Sequence, residues 1–195
     1  MKPTARALSA IAGVSIMLCF NGCAKNEFKY SKYSNNNPPF NLSMDYLDGW
    51  KYVEYKDPKS GILTVLFTPT DKIGFFTAFI SVEVIGPETL NAKVFSTEAA
   101  ADLWESKEMK LPEAKLLKRS KVSINFAKAE DINISYKMLE RLHVKGAKAL
   151  PSQTHLVVLK KGGRVYVAKL MSMQEMFDRY DRAFGHMVRT LKQAK

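Results

Sequence analysis

The distribution of hydrophobic and polar residues changes period several times along this chain, and each period predicts a different kind of element. Apolar residues alternate with polar ones through residues 75–85, so one set would face a core and the other set solvent. A dense apolar and β-branched run at 62–67 predicts a strand that is buried on both faces. Further segments predict strands at 50–55, 121–126, 132–138, 153–159 and 165–171.

Two segments instead repeat their apolar residues every three or four positions, which is the period of a helix. Ser96 or Thr97 is predicted to cap the first helix, with Glu98 at its positive end and Pro112 beyond its last turn. The second helix is predicted at 174–193. Its apolar stripe consists of Met176, Phe177, Tyr180, Phe184, Met187, Val188 and Leu191.

The order of these elements predicts an α+β fold. Short connections join successive strands, and the glycine pair in Lys160-Lys161-Gly162-Gly163-Arg164 suits a tight hairpin. Strands joined in this way pair antiparallel. We therefore expect a mainly antiparallel sheet of about six or seven strands, covered by the two helices.

The first 22 residues have the features of an export signal. Lys2 and Arg6 precede an apolar stretch at 7–20, and no acidic residue interrupts it. This stretch is shorter than the ~20 residues that a membrane-spanning helix needs. The next residues, Phe20-Asn21-Gly22-Cys23, resemble the lipobox of bacterial lipoproteins. The resemblance implies cleavage after Gly22 and a diacylglyceryl group on the thiol of Cys23.

A second cleavage site competes with the lipobox. Gly22-Cys23-Ala24 places small residues where an ordinary signal peptidase reads them, so cleavage after Ala24 would release a soluble secreted protein. Under the first interpretation, residues 23–39 are a lipidated N-terminus with a flexible tether, and residues 40–195 are a single domain. The aromatic residues of the tether, Phe28, Tyr30 and Tyr33, would lie at the membrane interface or dock partly onto the domain, and we favour docking.

Cysteine content and charge limit what the mature chain can be. The two cysteines, Cys19 and Cys23, both lie in or next to the signal, so no intramolecular disulfide remains after cleavage. The 173 remaining residues hold 28 basic and 19 acidic ones, a net charge of +9. A basic domain beside a membrane could attract anionic headgroups or an acidic envelope protein, although many lysines would simply be solvated surface. An extracytoplasmic address argues against nucleic acid as a partner.

Two short signatures resemble those of the PsbP-like domains, a family named for an extrinsic protein of photosystem II. The first is Phe40-Asn41-Leu42 followed by Asp48-Gly49-Trp50, with Leu47 where the family usually has proline. The second is Gly163-Arg164-Val165-Tyr166 before the final helix. The resemblance covers residues 40–192 and implies an α-β-α sandwich that is used for binding and assembly, not for catalysis. It carries no photosystem role, because no functional residue of that protein can be matched here.

No catalytic constellation emerges from the sequence. The candidate bases are His143, His155 and His186, but no Gly-x-Ser-x-Gly motif accompanies them, and each is expected to be a surface or partly packed side chain. Glu140 and His143 have the Glu-x-x-His spacing of carboxylate-bridged metal sites, without the second copy that such sites use. The basic hairpin tip at 160–164 could meet phosphates or could simply keep the hairpin soluble. We therefore predict no catalytic, cofactor-binding or metal site.

The sequence thus predicts a non-enzymatic protein of the cell envelope, held to a membrane by a lipid on Cys23. Its role would be to bind a partner or to support an assembly. The alternative is a carrier of a small apolar or anionic ligand, which the aromatic content of the sheet suggests. The aromatic residues concerned are Phe75, Phe76, Phe79, Tyr136 and Tyr166. Ala24 is not the aspartate that retains lipoproteins at an inner membrane, so the outer membrane is the favoured destination in a cell with two membranes.

Overall fold

The computed structural model describes residues 28–37, 40–69, 77–87, 89, 96–139 and 148–194. These residues form nine strands and two helices. The elements are β1 (Tyr30–Asn35), β2 (Leu42–Leu47), β3 (Lys51–Lys56), β4 (Leu63–Thr68), β5 (Ala78–Ile85), α1 (Thr97–Glu108), β6 (Lys115–Ile124), β7 (Ala127–Leu139), β8 (Ala149–Lys161), β9 (Arg164–Met173) and α2 (Gln174–Thr190).

Seven of the strands form one antiparallel sheet in the order β3-β4-β5-β9-β8-β7-β6. Within it, β3–β5 and β6–β9 are two meanders whose strands follow one another in the chain. The meanders meet where β5 pairs with β9, from Ala78 opposite Ser172 to Ile85 opposite Val165. β1 and β2 form a separate two-stranded sheet. The predicted α+β fold with a mainly antiparallel sheet is confirmed.

Alternation along the strands divides the core between the two faces of the large sheet. On one face, α1 buries Trp104 against residues that include Ile85 and Ile132. On the other face, α2 and the β1–β2 pair cover residues that include Phe67 and Tyr166. The result is a three-layer arrangement with helices on both sides, in which the predicted α2 stripe supplies the larger helical contribution.

Part of the predicted tether is in fact a strand. β1 pairs antiparallel with β2 along its full length, where the sequence predicts flexible chain up to residue 39. Tyr33 is 2% exposed, packs edge-on against Phe67, and donates its hydroxyl hydrogen to Glu54 at 2.7 Å. Burial of so large an aromatic side chain stabilises a strand whose other residues are mostly polar. The domain is therefore already folded at Tyr30, and the aromatic residues dock as favoured above.

The C-terminal residues after α2 pair with the start of β2, whose other edge pairs with β1. The backbone N–H of Ser43 donates to the carbonyl of Lys192, and that of Lys192 donates back to Ser43, each at 2.9 Å. The N–H of Ala194 donates to the carbonyl of Asn41 at 3.2 Å. Helix α2 therefore ends at Thr190, and the residues after it pair with β2 instead of continuing the helix to residue 193.

Helix α1 begins where the sequence predicts. The side chain of Ser96 accepts a hydrogen bond from the N–H of Ala99 at 3.0 Å, so Ser96 and not Thr97 is the capping residue. Strand β6 begins at Lys115, earlier than the predicted residue 121, and its first half is exposed. Neither helix of the described chain has the length and hydrophobicity that crossing a bilayer requires.

Candidate functional site

A cleft of about 320 Å³ lies on the α2 side of the large sheet, between α2 and strands β6–β8. We call it the α2 cleft. Helix α2 packs mainly over β9, β8 and β2, so the outer strands β6 and β7 extend past the helix and leave a gap beside it. The apolar walls of the gap are Val122, Ile124, Val157, Phe184 and Val188. Its polar groups are Ser123, Asn125, Asp131, His155 and Arg189.

His155 joins three elements at one end of this cleft. Its Nδ1 lies 2.5 Å from Oδ1 of Asp181 on α2. Its Nε2 lies 3.2 Å from Oδ1 of Asp131 on β7, an ion-pair distance without the alignment of a hydrogen bond. The ring also packs edge-on against Phe184, with centroids 5.0 Å apart. The imidazole is thus held between two carboxylates and an aromatic face.

This arrangement determines the charge of the imidazole. Burial alone would lower the pKa of His155, but contact with Asp131 and Asp181 outweighs burial and raises the pKa to about 9. In turn, the contact with His155 lowers the pKa of the Asp131 carboxyl, against the opposing effect of its burial. At neutral pH the cluster is therefore an imidazolium between two carboxylates, which fixes α2 to the sheet.

The other end of the cleft is closed by the β6–β7 hairpin. The side-chain amide of Asn125 donates a hydrogen bond to the backbone carbonyl of Arg189, near the end of α2. Asn125 and Phe126 form the hairpin turn with φ angles of 50° and 67°. Positive φ is tolerated by asparagine but is unfavourable for phenylalanine. The Phe126 side chain is fully exposed, so no packing against the described residues compensates for this conformation.

Gly185 lines the cleft from the middle of α2. Its backbone is helical, and a Cβ added there would first meet Nη1 of Arg189 at 3.4 Å, an ordinary contact with the far end of a flexible side chain. Packing within the protein therefore does not require glycine at this position. Glycine in a helix interior is less favourable than alanine by roughly 1 kcal/mol. The residue leaves space in the cleft at a cost to helix stability.

The second described histidine has a different setting. His186 stacks on Tyr30 with ring centroids 4.0 Å apart, and its Nε2 lies 3.0 Å from Oδ2 of Asp45. It therefore joins α2 to the β1–β2 pair and does not line the cleft. Both described histidines are partly packed, as the sequence predicts.

Several sequence predictions fall outside the described residues, namely those on Cys23, Glu140 and His143. In the parts of the chain that are described, no group of three His, Cys, Asp or Glu side chains is arranged so that it could hold a metal ion. Of the aromatic residues that suggested a ligand cavity, Phe75 and Phe76 also lie outside the described residues, and two of the others are on opposite faces of the sheet. Tyr136 lies two residues after Ile134 on β7, so it shares the α1 side of the sheet with Ile134. Tyr166 follows Val165, which faces α1, and therefore faces the α2 side.

Asp131 and Gly185, which line the cleft, and Asp181, which contacts His155, were not identified as site residues from the sequence. A signal was present on β8, where Gln153 and His155 share a face with the buried Val157 and Leu159. Where one face of a strand changes from polar to apolar residues, the elements packed on that face cover only the apolar part. The glycine inside an otherwise regular amphipathic helix is a second such signal.

Solved structures with the same arrangement of elements provide a comparison. Cyanobacterial PsbP (CyanoP) from Synechocystis aligns over 95% of this chain and 98% of its own, with a TM-score of 0.55 and 13% sequence identity. The fold is PsbP-like. A protein from Bacteroides thetaiotaomicron aligns over 84% of this chain and 48% of its own, with a TM-score of 0.51 and 14% identity.

A third similar structure is LpqN of Mycobacterium tuberculosis, described as involved in cell envelope biogenesis. It aligns over 88% of this chain and 94% of its own, with a TM-score of 0.44 and 14% identity. No family model and no curated protein sequence matches the chain. At identities this low, the similarity to CyanoP establishes the PsbP-like fold alone.

Proposed function

We propose that this chain is a lipid-anchored, non-catalytic binding protein of the cell envelope, and that the α2 cleft is its binding site. The observation that carries the proposal is the cleft itself, which combines apolar walls with polar groups at both ends. Ligand sites in proteins are typically concave, mostly apolar, and supplied with a few placed polar groups. The PsbP-like fold agrees with such a role, although it does not identify the partner.

The setting of His155 supports a non-catalytic role. A histidine that acts as a general base needs an unprotonated nitrogen directed at the reacting group and a pKa near the working pH. In a catalytic triad, one nitrogen faces an acid and the other a nucleophile. Here both nitrogens face carboxylates, and a pKa of about 9 keeps the ring protonated at neutral pH. The role of the imidazolium is therefore structural, since its ion pairs hold α2 against the sheet.

Lipid attachment at Cys23 predicts a defined mass. Protein extracted from membranes is expected to begin at residue 23 and to carry acyl chains, because the thiol is the acceptor that the lipobox provides. The variant Cys23→Ser should lack this added mass and leave the membrane fraction, since two or more acyl chains are what make anchoring stable. Intact-mass spectrometry of both forms is the measurement. A chain that begins at Lys25 without lipid would show that the protein is secreted in soluble form instead.

A carrier of a small apolar or anionic ligand is the second candidate function. The cleft volume of about 320 Å³ lies at the lower end of the range for ligand pockets, roughly 300–1,000 Å³. Val122, Ile124 and Val188 would contact an aliphatic or aromatic body. The guanidinium of Arg189 at the rim would meet an anionic group.

Gly185→Ala tests whether this cleft binds a ligand. We expect the variant to unfold at higher denaturant, with a gain of up to about 1 kcal/mol, because alanine is the better helix former. Its added methyl group should at the same time weaken binding of the probe 1-anilinonaphthalene-8-sulfonate, an apolar body with an anionic group. Fluorescence titration and urea unfolding would measure the two effects.

The matched control is Ser106→Ala on the exposed side of α1. It should also stabilise its helix, because serine is a poorer helix former than alanine. It should leave probe binding unchanged, since α1 lies on the other face of the sheet. Equal probe affinity in the Gly185 variant and the wild type would argue against ligand binding in the α2 cleft.

A further inference from the structure

We propose that the tip of the β6–β7 hairpin and the C-terminal half of α2 form a surface that docks onto anionic lipid headgroups, with Phe126 entering the bilayer interface. We call it the docking surface. It consists of Phe126, Arg182 and Arg189. The inference goes beyond the proposed function, since it assigns a membrane contact to the folded domain itself and holds whether or not Cys23 carries a lipid.

Phe126 is the first reason for this assignment. It occupies a turn position with φ of 67°, where glycine or asparagine is usual, and its side chain is 104% exposed. A phenylalanine there is unfavourable both for the backbone and for hydration of the ring. Neither cost is offset by a contact within the described chain. A single aromatic side chain at the tip of a hairpin can instead be buried in the interfacial region of a bilayer, where aromatic rings are enriched.

The tip also has a fixed position relative to α2. The amide of Asn125 donates to the carbonyl of Arg189, so the hairpin is fastened to the last turn of the helix. Phe126 therefore projects beside the C-terminal half of α2. The aromatic side chain and the charges of that half-helix belong to one rigid surface.

Positive charge on this surface is the second reason. At 3.6 residues per turn, Arg179, Arg182 and Arg189 fall on one side of α2, and both Arg182 and Arg189 are exposed. The sequence from residue 182 to residue 194 contains no aspartate or glutamate. Basic residues near a helix C-terminus also complement the helix dipole. That explanation covers the arginines, but it does not explain the exposed phenylalanine beside them.

The geometry of the N-terminus is compatible with a membrane on this side. The ring of Phe28 lies 5.5 Å from the guanidinium of Arg179, so the chain enters the fold along α2. Arg189 lies ten positions after Arg179, a rise of about 15 Å along the helix. Phe28 lies five positions after Cys23, a span of about 17 Å when the chain is extended. A lipid on Cys23, which the proposed function assumes, would therefore hold the same flank of the domain towards the bilayer.

Vesicle binding of the mature chain with Cys23→Ser tests the docking surface without the anchor. We expect this lipid-free protein to co-sediment with vesicles of phosphatidylglycerol and phosphatidylcholine in equal parts, and not with phosphatidylcholine alone. Phe126→Asn should weaken binding about tenfold, because the interface no longer receives an aromatic ring. Asparagine suits positive φ, so this variant should fold at least as well as the parent. Arg182→Gln should weaken binding about fivefold through loss of one charge near the lipid surface.

Lys110→Gln is the matched control, because it removes one positive charge from an exposed residue after α1, on the opposite side of the sheet. It should change vesicle binding much less than Arg182→Gln does. The proposal is overturned if the mixed vesicles are not bound, if Phe126→Asn binds as tightly as the parent, or if Lys110→Gln and Arg182→Gln have equal effects. Lipid attachment is read separately from the intact mass, so failure of the anchor and failure of the docking surface give different results.

Discussion

Replacement of Trp104 by alanine is expected to lower the free energy of unfolding by about 3–5 kcal/mol, a large fraction of the stability of a domain of this size. The side chain is 1% exposed and lies at the centre of the cluster that holds α1 on the sheet. Its Nε1–H also donates to Glu83 at 3.0 Å. Alanine would leave a cavity that the flanking Ala100 and Ala101 cannot fill. Urea unfolding followed by circular dichroism would measure the loss.

Trp104→Phe separates packing from hydrogen bonding. Phenylalanine keeps most of the buried aromatic area but cannot donate to Glu83, so we expect a loss of only about 1–2 kcal/mol. Glu83 is half-buried and can gain water as a partner. A small loss in the alanine variant, below that of the phenylalanine variant, would show that α1 contributes little to the stability of the sheet.

The second large effect is a loss of stability at alkaline pH that depends on His155. The pKa of this residue is about 9 in the folded protein, against 6.5 for an unperturbed histidine. The folded state therefore binds the proton more tightly than the unfolded state. The resulting stabilisation is fully present below pH 6.5 and is lost as the pH rises to about 9. A shift of this size corresponds to up to about 3 kcal/mol.

His155→Gln provides the test of this pH dependence. Glutamine does not titrate, so the variant should be less stable than the parent at pH 6 and should lose less stability between pH 6.5 and 9. Asp131 is partly buried and would lose its charge partner, which adds to the cost at low pH. Chemical unfolding at a series of pH values, with an NMR titration of the imidazole, would measure the effect. Parallel stability curves for the two proteins would contradict the assignment.

Most of the large sheet could be predicted from the sequence because its strands alternate strongly. On β5 and β7 every second residue enters a core, so the periodicity alone shows the buried face. The Gly162-Gly163 turn was equally clear, and both glycines have positive φ as a tight hairpin requires. The amphipathic stripe likewise predicted α2, and its end differs by the few residues that pair with β2.

β1 could not be predicted, because its sequence is polar and its two tyrosines are three residues apart. This spacing does not place both tyrosines on one face of a strand. The strand exists because Tyr33 finds a pocket against Phe67 and because β2 supplies a hydrogen-bonding edge. Both contributions come from the tertiary structure and are invisible in a local pattern.

The α2 cleft could not be predicted from the sequence, because its contacts also depend on tertiary structure. His155 and Asp131 lie on neighbouring strands, and their contact depends on the register of the β7–β8 pair, in which Asn133 and not Asp131 lies directly opposite His155. Asp181 joins them only through the position of α2 above the sheet. A single histidine in a sequence does not indicate which carboxylates it will contact in the fold.

The pairing of β5 with β9 and of Ser43 with Lys192 has a consequence for how this chain folds. Each meander can form from segments that are neighbours in the chain. The β5–β9 and Ser43–Lys192 pairings instead connect residues that are far apart in sequence, and such contacts form slowly. The last pairs involve residues close to the C-terminus. A chain that emerges with its N-terminus first therefore cannot complete this domain until β9 and Lys192 have emerged. Until then the half-formed sheet remains open along β5, and its unpaired edge is exposed to chaperones and proteases.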